Sequence, residues 1–108
     1  MSFAEQFISV IEGIVDTDIN TLGNFRFILA MRKALVNRQF PDKAAESIIA
    51  QMKIEIDGDL ITDDQIQRLT VGYASVMANM RDELKKNGFT HAEDFVVQAA
   101  ATMSASLK

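Results

Sequence analysis

The sequence predicts an all-α fold: a single-domain bundle of about five helices. Three observations carry that expectation. Ser2-x-x-Glu5, Thr62-x-x-Gln65 and Thr90-x-x-Glu93 each have the form of a capping box. In such a box the hydroxyl accepts from the amide three residues on, and that residue's side chain reaches back to the cap's own amide. Each box opens a stretch whose apolar residues recur at helical spacing. Asn87-Gly88 then ends the longest stretch with the residue pair that favours a helix stop. With 108 residues, 48% of them hydrophobic, the chain is long enough for one core, and residues 1–108 read as one domain.

The elements follow in order. A first helix is expected over about 3–15, where Phe3, Phe7, Ile11 and Ile14 form a stripe widened by Ile8, Val10 and Val15. Asp16-Thr17-Asp18 offers a turn and a new cap. A second helix falls within about 19–37, and residues 37–40 make a short connection. Pro41 suits the first turn of a third helix over about 41–53, because a first-turn amide has no helical acceptor to lose. That helix would bury Ala45, Ile48, Ile49 and Met52. Asp57-Gly58 marks a turn, and 54–61 reads as a structured loop or a mini-hairpin. The fourth helix spans about 63–86. The fifth spans about 91–106, with Phe95, Ala99 and Met103 four apart. Acidic residues in first turns and Lys85-Lys86 in a last turn agree with the helix dipole. No internal repeat, linker or low-complexity stretch is visible.

Composition narrows the function classes. The net charge is −4, and there is no Cys and no Trp. Residues 1–54 hold six Lys/Arg and six Asp/Glu, and residues 55–108 hold five and nine. A chain that neutralises several phosphates has the opposite bias. Without Cys there is neither a disulfide framework nor thiol chemistry. The sequence shows no basic region followed by a long apolar run, as a signal peptide would, and no stretch of about 18 apolar residues. A cytoplasmic protein is the expectation.

No catalytic, cofactor-binding or metal-ligating set emerges. The five Gly are scattered, so no phosphate loop forms, and His91 is the only histidine. Glu55, Asp57, Asp59, Asp63 and Asp64 crowd one window that faintly resembles a calcium-binding EF-hand loop. Aligned on Ile61, that loop lacks the mid-loop glycine and has Gln65 where a bidentate Glu is needed, so no calcium ion is expected.

Two helices carry apolar residues beyond one core stripe. In the 63–86 helix, Ile66, Leu69, Tyr73, Val76 and Met80 alternate at three and four, and Gly72, Ala74 and Ala78 leave room for a close neighbour. In the 19–37 helix the apolar arc covers about 220° at ~100° per residue. Arg32 lies inside that arc, where it must reach the edge, meet a carboxylate or anchor a partner. Phe25, Leu29, Arg32, Val36, Leu69, Tyr73, Val76 and Met80 are therefore the candidate partner or dimer surface. Arg26, Lys33 and Arg38 form a candidate basic face.

The expected function is that of a small acidic, non-enzymatic helical protein that binds another protein and forms a homodimer. Immunity proteins, phage-encoded inhibitors, assembly chaperones and adaptor subunits are of this size and character, an analogy at the level of fold. Two alternatives stand beside it: a nucleic-acid-associated regulator using the basic face, and a small-molecule-binding bundle. Neither a cofactor nor a membrane is expected.

Overall fold

A computed structural model describes residues 22–56 and 62–107. The element order is α1 (Leu22–Asn37), α2 (Asp42–Gln51), β1 (Lys53–Ile56), α3 (Asp63–Lys86), α4 (Ala92–Ala100) and β2 (Ser104–Leu107). Helices dominate, as the capping pattern predicts. The helix expected over 3–15 and the Asp57-Gly58 turn lie outside the described residues, so the structure describes four of the five expected helices.

The start of α3 is the box read from the sequence. The Gln65 amide donates to Thr62 Oγ1 at 3.2 Å, and the Thr62 amide donates to Gln65 Oε1 at 2.9 Å. Asp63 and Asp64 occupy its first turn, Lys85 and Lys86 its last. Its end is a Schellman turn. The Phe89 amide reaches the Leu84 carbonyl and the Gly88 amide reaches that of Lys85, both at 3.1 Å, with Gly88 at φ +91°. Phe89 stands edge-on to Phe95 of α4, ring centroids 5.2 Å apart.

α1 ends in the same way without a glycine. The Phe40 amide reaches the Leu35 carbonyl at 3.1 Å, the Gln39 amide reaches that of Val36 at 3.0 Å, and Gln39 takes φ +71°. Here the aromatic residue after the turn, Phe40, is buried. Its burial holds a side-chain-bearing residue in the left-handed region, which costs about 1–2 kcal/mol.

Three sequence expectations need correction. The box at Thr90-x-x-Glu93 does not form: α4 begins at Ala92 with His91 as its cap and no side-chain cap bond. Glu93 instead meets Lys85 of α3 at 3.1 Å, so a last-turn cation has captured the residue meant for the cap. The fifth expected helix, drawn to 106, stops at Ala100. Thr102 Oγ1 donates to the Ala99 carbonyl at 2.8 Å, and residues 104–107 become a strand. A hydroxyl that satisfies a terminal carbonyl is a local rival to continuing the helix. Finally, the segment at 54–61 does not pair as a local hairpin over its described part. β1 pairs in parallel with β2, Ile54 opposite Ala105 and Ile56 opposite Leu107.

The strand pair also shows a repeat of architecture that the sequence hides. The described residues run helix–helix–strand twice, and like packs on like: α1 on α3, α2 on α4, β1 on β2. Phe40 and Phe89 follow the two Schellman turns, and Met52 and Met103 precede the two strands. Between these markers the residues diverge, with Ile48-Ile49 in α2 where Ala99-Ala100 stand in α4. One core joins the halves, built on Phe27, Ile28, Met31 and Leu35 of α1, Ile48 and Ile49 of α2, Ile54 of β1, Met77 of α3 and Val96 of α4.

The two helix ends give a paired test. Gln39→Gly relieves a left-handed side chain, less the entropy a glycine loses, and should raise unfolding free energy by about 0.5–1 kcal/mol. Gly88→Val meets open space yet forces a β-branched residue to positive φ, and should lower it by about 1–2 kcal/mol. Urea denaturation of both variants beside the parent chain reads the opposite signs.

Candidate functional site

The core takes one side of α1: Phe27, Ile28, Met31, Ala34 and Leu35 are buried. The opposite side carries large apolar residues in the open. Leu29 is 45% exposed and Val36 36% exposed, with Phe25 half-buried beside them. At ~100° per residue these three fall within about 40° of one another, one narrow ridge along the helix. Arg32 borders that ridge and lies 3.6 Å from Asp42, the first residue of α2. That separation and the exposure of both groups make it a weak ion pair. The wide apolar arc of the 19–37 helix therefore divides into a core face and a second, outward face.

The candidate residues on α3 fare differently. Leu69, Tyr73 and Met80 pack against the core. Tyr73 stands edge-on to Phe27 at 6.4 Å and donates its hydroxyl to the Ser104 carbonyl at 2.5 Å. Only Val76 of the candidate seam is well exposed, at 51%. Ala74 and Ala78, the expected flat patch, are buried under this chain's own elements, and Gly72 faces open space on another side. The near-heptad spacing of 63–86 thus serves the molecule's own interior.

The candidate basic face is gathered. Arg26, Lys33 and Arg38 all line a surface groove of about 580 Å³ between α1 and α3. Asp63 of the acidic window lines it from α3, with Gln67, Thr70 and Val71, which sequence reasoning did not single out. Arg26 is paired with Asp63. Thr70 turns its hydroxyl back to the Ile66 carbonyl at 2.8 Å.

Arg81 of α3 holds the backbone of Arg38, one of the groove residues. It is buried, and its guanidinium lies 4.5 Å above the Phe40 ring. Nη1 donates to the Arg38 carbonyl at 2.6 Å and Nε to Asp82 at 2.9 Å. One side chain therefore pins the Schellman turn of α1 to α3. Its spacing four residues after Met77 and seven after Ala74 would have placed it on the buried face.

Among the described residues no group of three or more His, Cys, Asp and Glu is placed to hold a metal, and no helix is long and apolar enough to cross a membrane. Asp57 and Asp59 of the acidic window lie outside the described residues, and His91 is exposed at the α4 cap. Comparison of the chain with protein-family models, with curated proteins and with solved structures found no match.

Two outcomes follow from these contacts. Arg81→Ala removes a charged hydrogen bond and the ring contact and should cost about 2–3 kcal/mol. Arg81→Lys keeps the charge but loses the planar fork and should cost about half as much; chemical denaturation separates the two. Glu93 titrates below its ordinary value of 4.5, held there by its own backbone amide and then by Lys85. A lowered carboxyl pKa adds stability that is complete above the ordinary value and is lost as pH falls through the lowered one. The melting-temperature gap between the parent chain and Glu93→Gln should therefore hold steady near neutrality and close as the medium is acidified below pH 4.5.

Proposed function

We propose that this chain is a non-enzymatic protein-binding module whose partner engages the outward ridge of α1: Phe25, Leu29 and Val36, with Arg32 at its edge. The observation that supports this reading is the ridge itself. A helix whose opposite side already fills the core still presents two large aliphatic side chains to solvent, more than a third exposed each, with an arginine beside them. Apolar surface next to Arg is the composition from which binding hot spots are drawn. The homodimer expected from the sequence would use this ridge, because the rival seam on α3 is spent on the core.

A nucleic-acid role is less well supported. The groove has three cations, of which Arg26 is paired with Asp63, on a chain of net charge −4. Few phosphates would be neutralised, and the rest of the surface would repel the polyanion.

Affinity capture from the native cell, read by quantitative mass spectrometry, tests the proposal when three baits are compared. A protein retained by the parent chain and by Val76→Asp, but reduced about tenfold or more by Val36→Asp, has its contact on the ridge, because Val36 does not line the groove. Retention indifferent to Val36→Asp removes the reading. Light scattering over a range of concentrations decides the homodimer: a dimer mass that reverts with Leu29→Asp supports it, and a mass of 12.0 kDa throughout ends it.

A further inference from the structure

The groove beside the ridge has two unlike walls. The α1 side supplies Arg26, Lys33 and Arg38, and the α3 side supplies Asp63 as its one charged group, with neutral Gln67 and Thr70. Arg26 is paired with Asp63. Lys33 and Arg38 make no ion pair among the described residues. Arg38 donates to the Ala34 carbonyl at 3.2 Å, a contact that leaves its charge without a carboxylate. Apolar surface is uncovered on both walls, since Leu29 of α1 and Val71 of α3 are exposed. Ala30 and Ala34 also line the groove, and side chains this short let the backbone of another helix come close. From Arg26 to Asn37 the α1 wall runs about 16 Å, the length of three helical turns.

We propose that the α1/α3 groove takes an amphipathic helix of a partner protein, one whose apolar stripe has carboxylates along a single flank. The stripe covers Leu29 and Val71. The acidic flank meets Lys33 and Arg38, and the other flank, without charge, lies along α3. Carboxylates four residues apart fit this pattern. Four residues advance about 6 Å and turn only about 40° beyond a full circle, so both groups share one flank beside the stripe. Lys33 and Arg38 are about 7.5 Å apart at the helical rise, a difference that long cationic side chains absorb. In such docking the apolar stripe supplies affinity, and the charged edge fixes orientation and rejects basic helices. A nucleic acid would need more cations, on both walls. A small anion would leave the apolar remainder of a groove of about 580 Å³ uncovered. The inference goes beyond the ridge, since Phe25 and Val36 do not line the groove.

Photocrosslinking in the native cell tests this with the full chain. The photoreactive residue p-benzoylphenylalanine is placed at Gln67, exposed on the α3 wall, and in a control chain at Val76, about 180° around α3 from Gln67. The Gln67 probe should crosslink a second protein at least about fivefold more than the Val76 probe. Mass spectrometry of the crosslinked peptide should show apolar residues at three and four spacing with carboxylates four apart on one flank. Lys33→Glu should cut the yield about fivefold, and exchanging the partner's matching carboxylate for Lys should restore it, because the charge pair is then reversed rather than broken. Crosslinking no stronger at Gln67 than at Val76 would overturn the proposal. So would a crosslinked segment without the acidic flank, crosslinks confined to nucleic acid or to this chain itself, or a yield untouched by Lys33→Glu. Val36→Asp tests the ridge without altering a groove residue, so the two proposals fail separately.

Discussion

The parallel pairing of Lys53–Ile56 with Ser104–Leu107 is the contact on which the rest of the arrangement depends. A parallel pair cannot close through a tight turn; it needs a long crossover, here the whole of α3 and α4. The pairing thus joins the ends of two helix–helix–strand units, fixing α1 against α3 and α2 against α4. A two-stranded ribbon alone in water is marginal. This one is supported from the helices. Ile54, Ile56 and Ala105 are buried, Tyr73 donates to the Ser104 carbonyl, and the buried Asn24 of α1 accepts the Ile56 amide at 2.7 Å. The Lys53 amide extends the ladder to Met103 at 3.1 Å. Backbone groups that would be costly to bury alone are satisfied by side chains from both halves.

Arg81 answers the same need at the opposite end of α1. The Schellman turn there uses Gln39 where glycine is the usual residue, so its geometry must be imposed from outside. Phe40 beneath the guanidinium and the Arg38 carbonyl at its tip supply that imposition. The equivalent turn after α3 has Gly88, requires no such clamp, and leaves its phenylalanine largely in the open. The two halves share a plan, and each has its own means of holding the turn.

With these constraints met, surface character is concentrated on α1. Its core face is fully used, its outward ridge is apolar, and its α3 side is basic. The ridge and the α1 wall of the groove are neighbouring strips that meet at Leu29 and differ in chemistry. One exposes Leu29 and Val36, the other gathers Arg26, Lys33 and Arg38. This division explains why the 19–37 helix supplied Phe25, Leu29, Arg32 and Val36 to the partner-surface candidates and Arg26 and Lys33 to the basic face.

The sequence by itself determined the local features: the Thr62–Gln65 box, the Gly88 stop, α2 behind Pro41 and the 24-residue span of α3. Each depends on residues within four or five positions of one another, where steric preference and capping act without reference to the fold. It also showed that α1 has more apolar circumference than one stripe requires. Tertiary structure decided what local chemistry leaves open. Ser104–Leu107 follows a helical pattern in sequence and becomes a strand because its partner stands about fifty residues earlier in the chain. Glu93 is drawn from its cap by Lys85, and Tyr73 from a solvent-facing seam by a strand carbonyl. Arg26 and Lys33 are ordinary helix residues, and Arg38 an ordinary turn residue, until α3 forms the second wall of their groove. Pairing and burial between distant segments outweigh propensities of a few tenths of a kcal/mol per residue, so periodicity locates the helices and only packing assigns their faces.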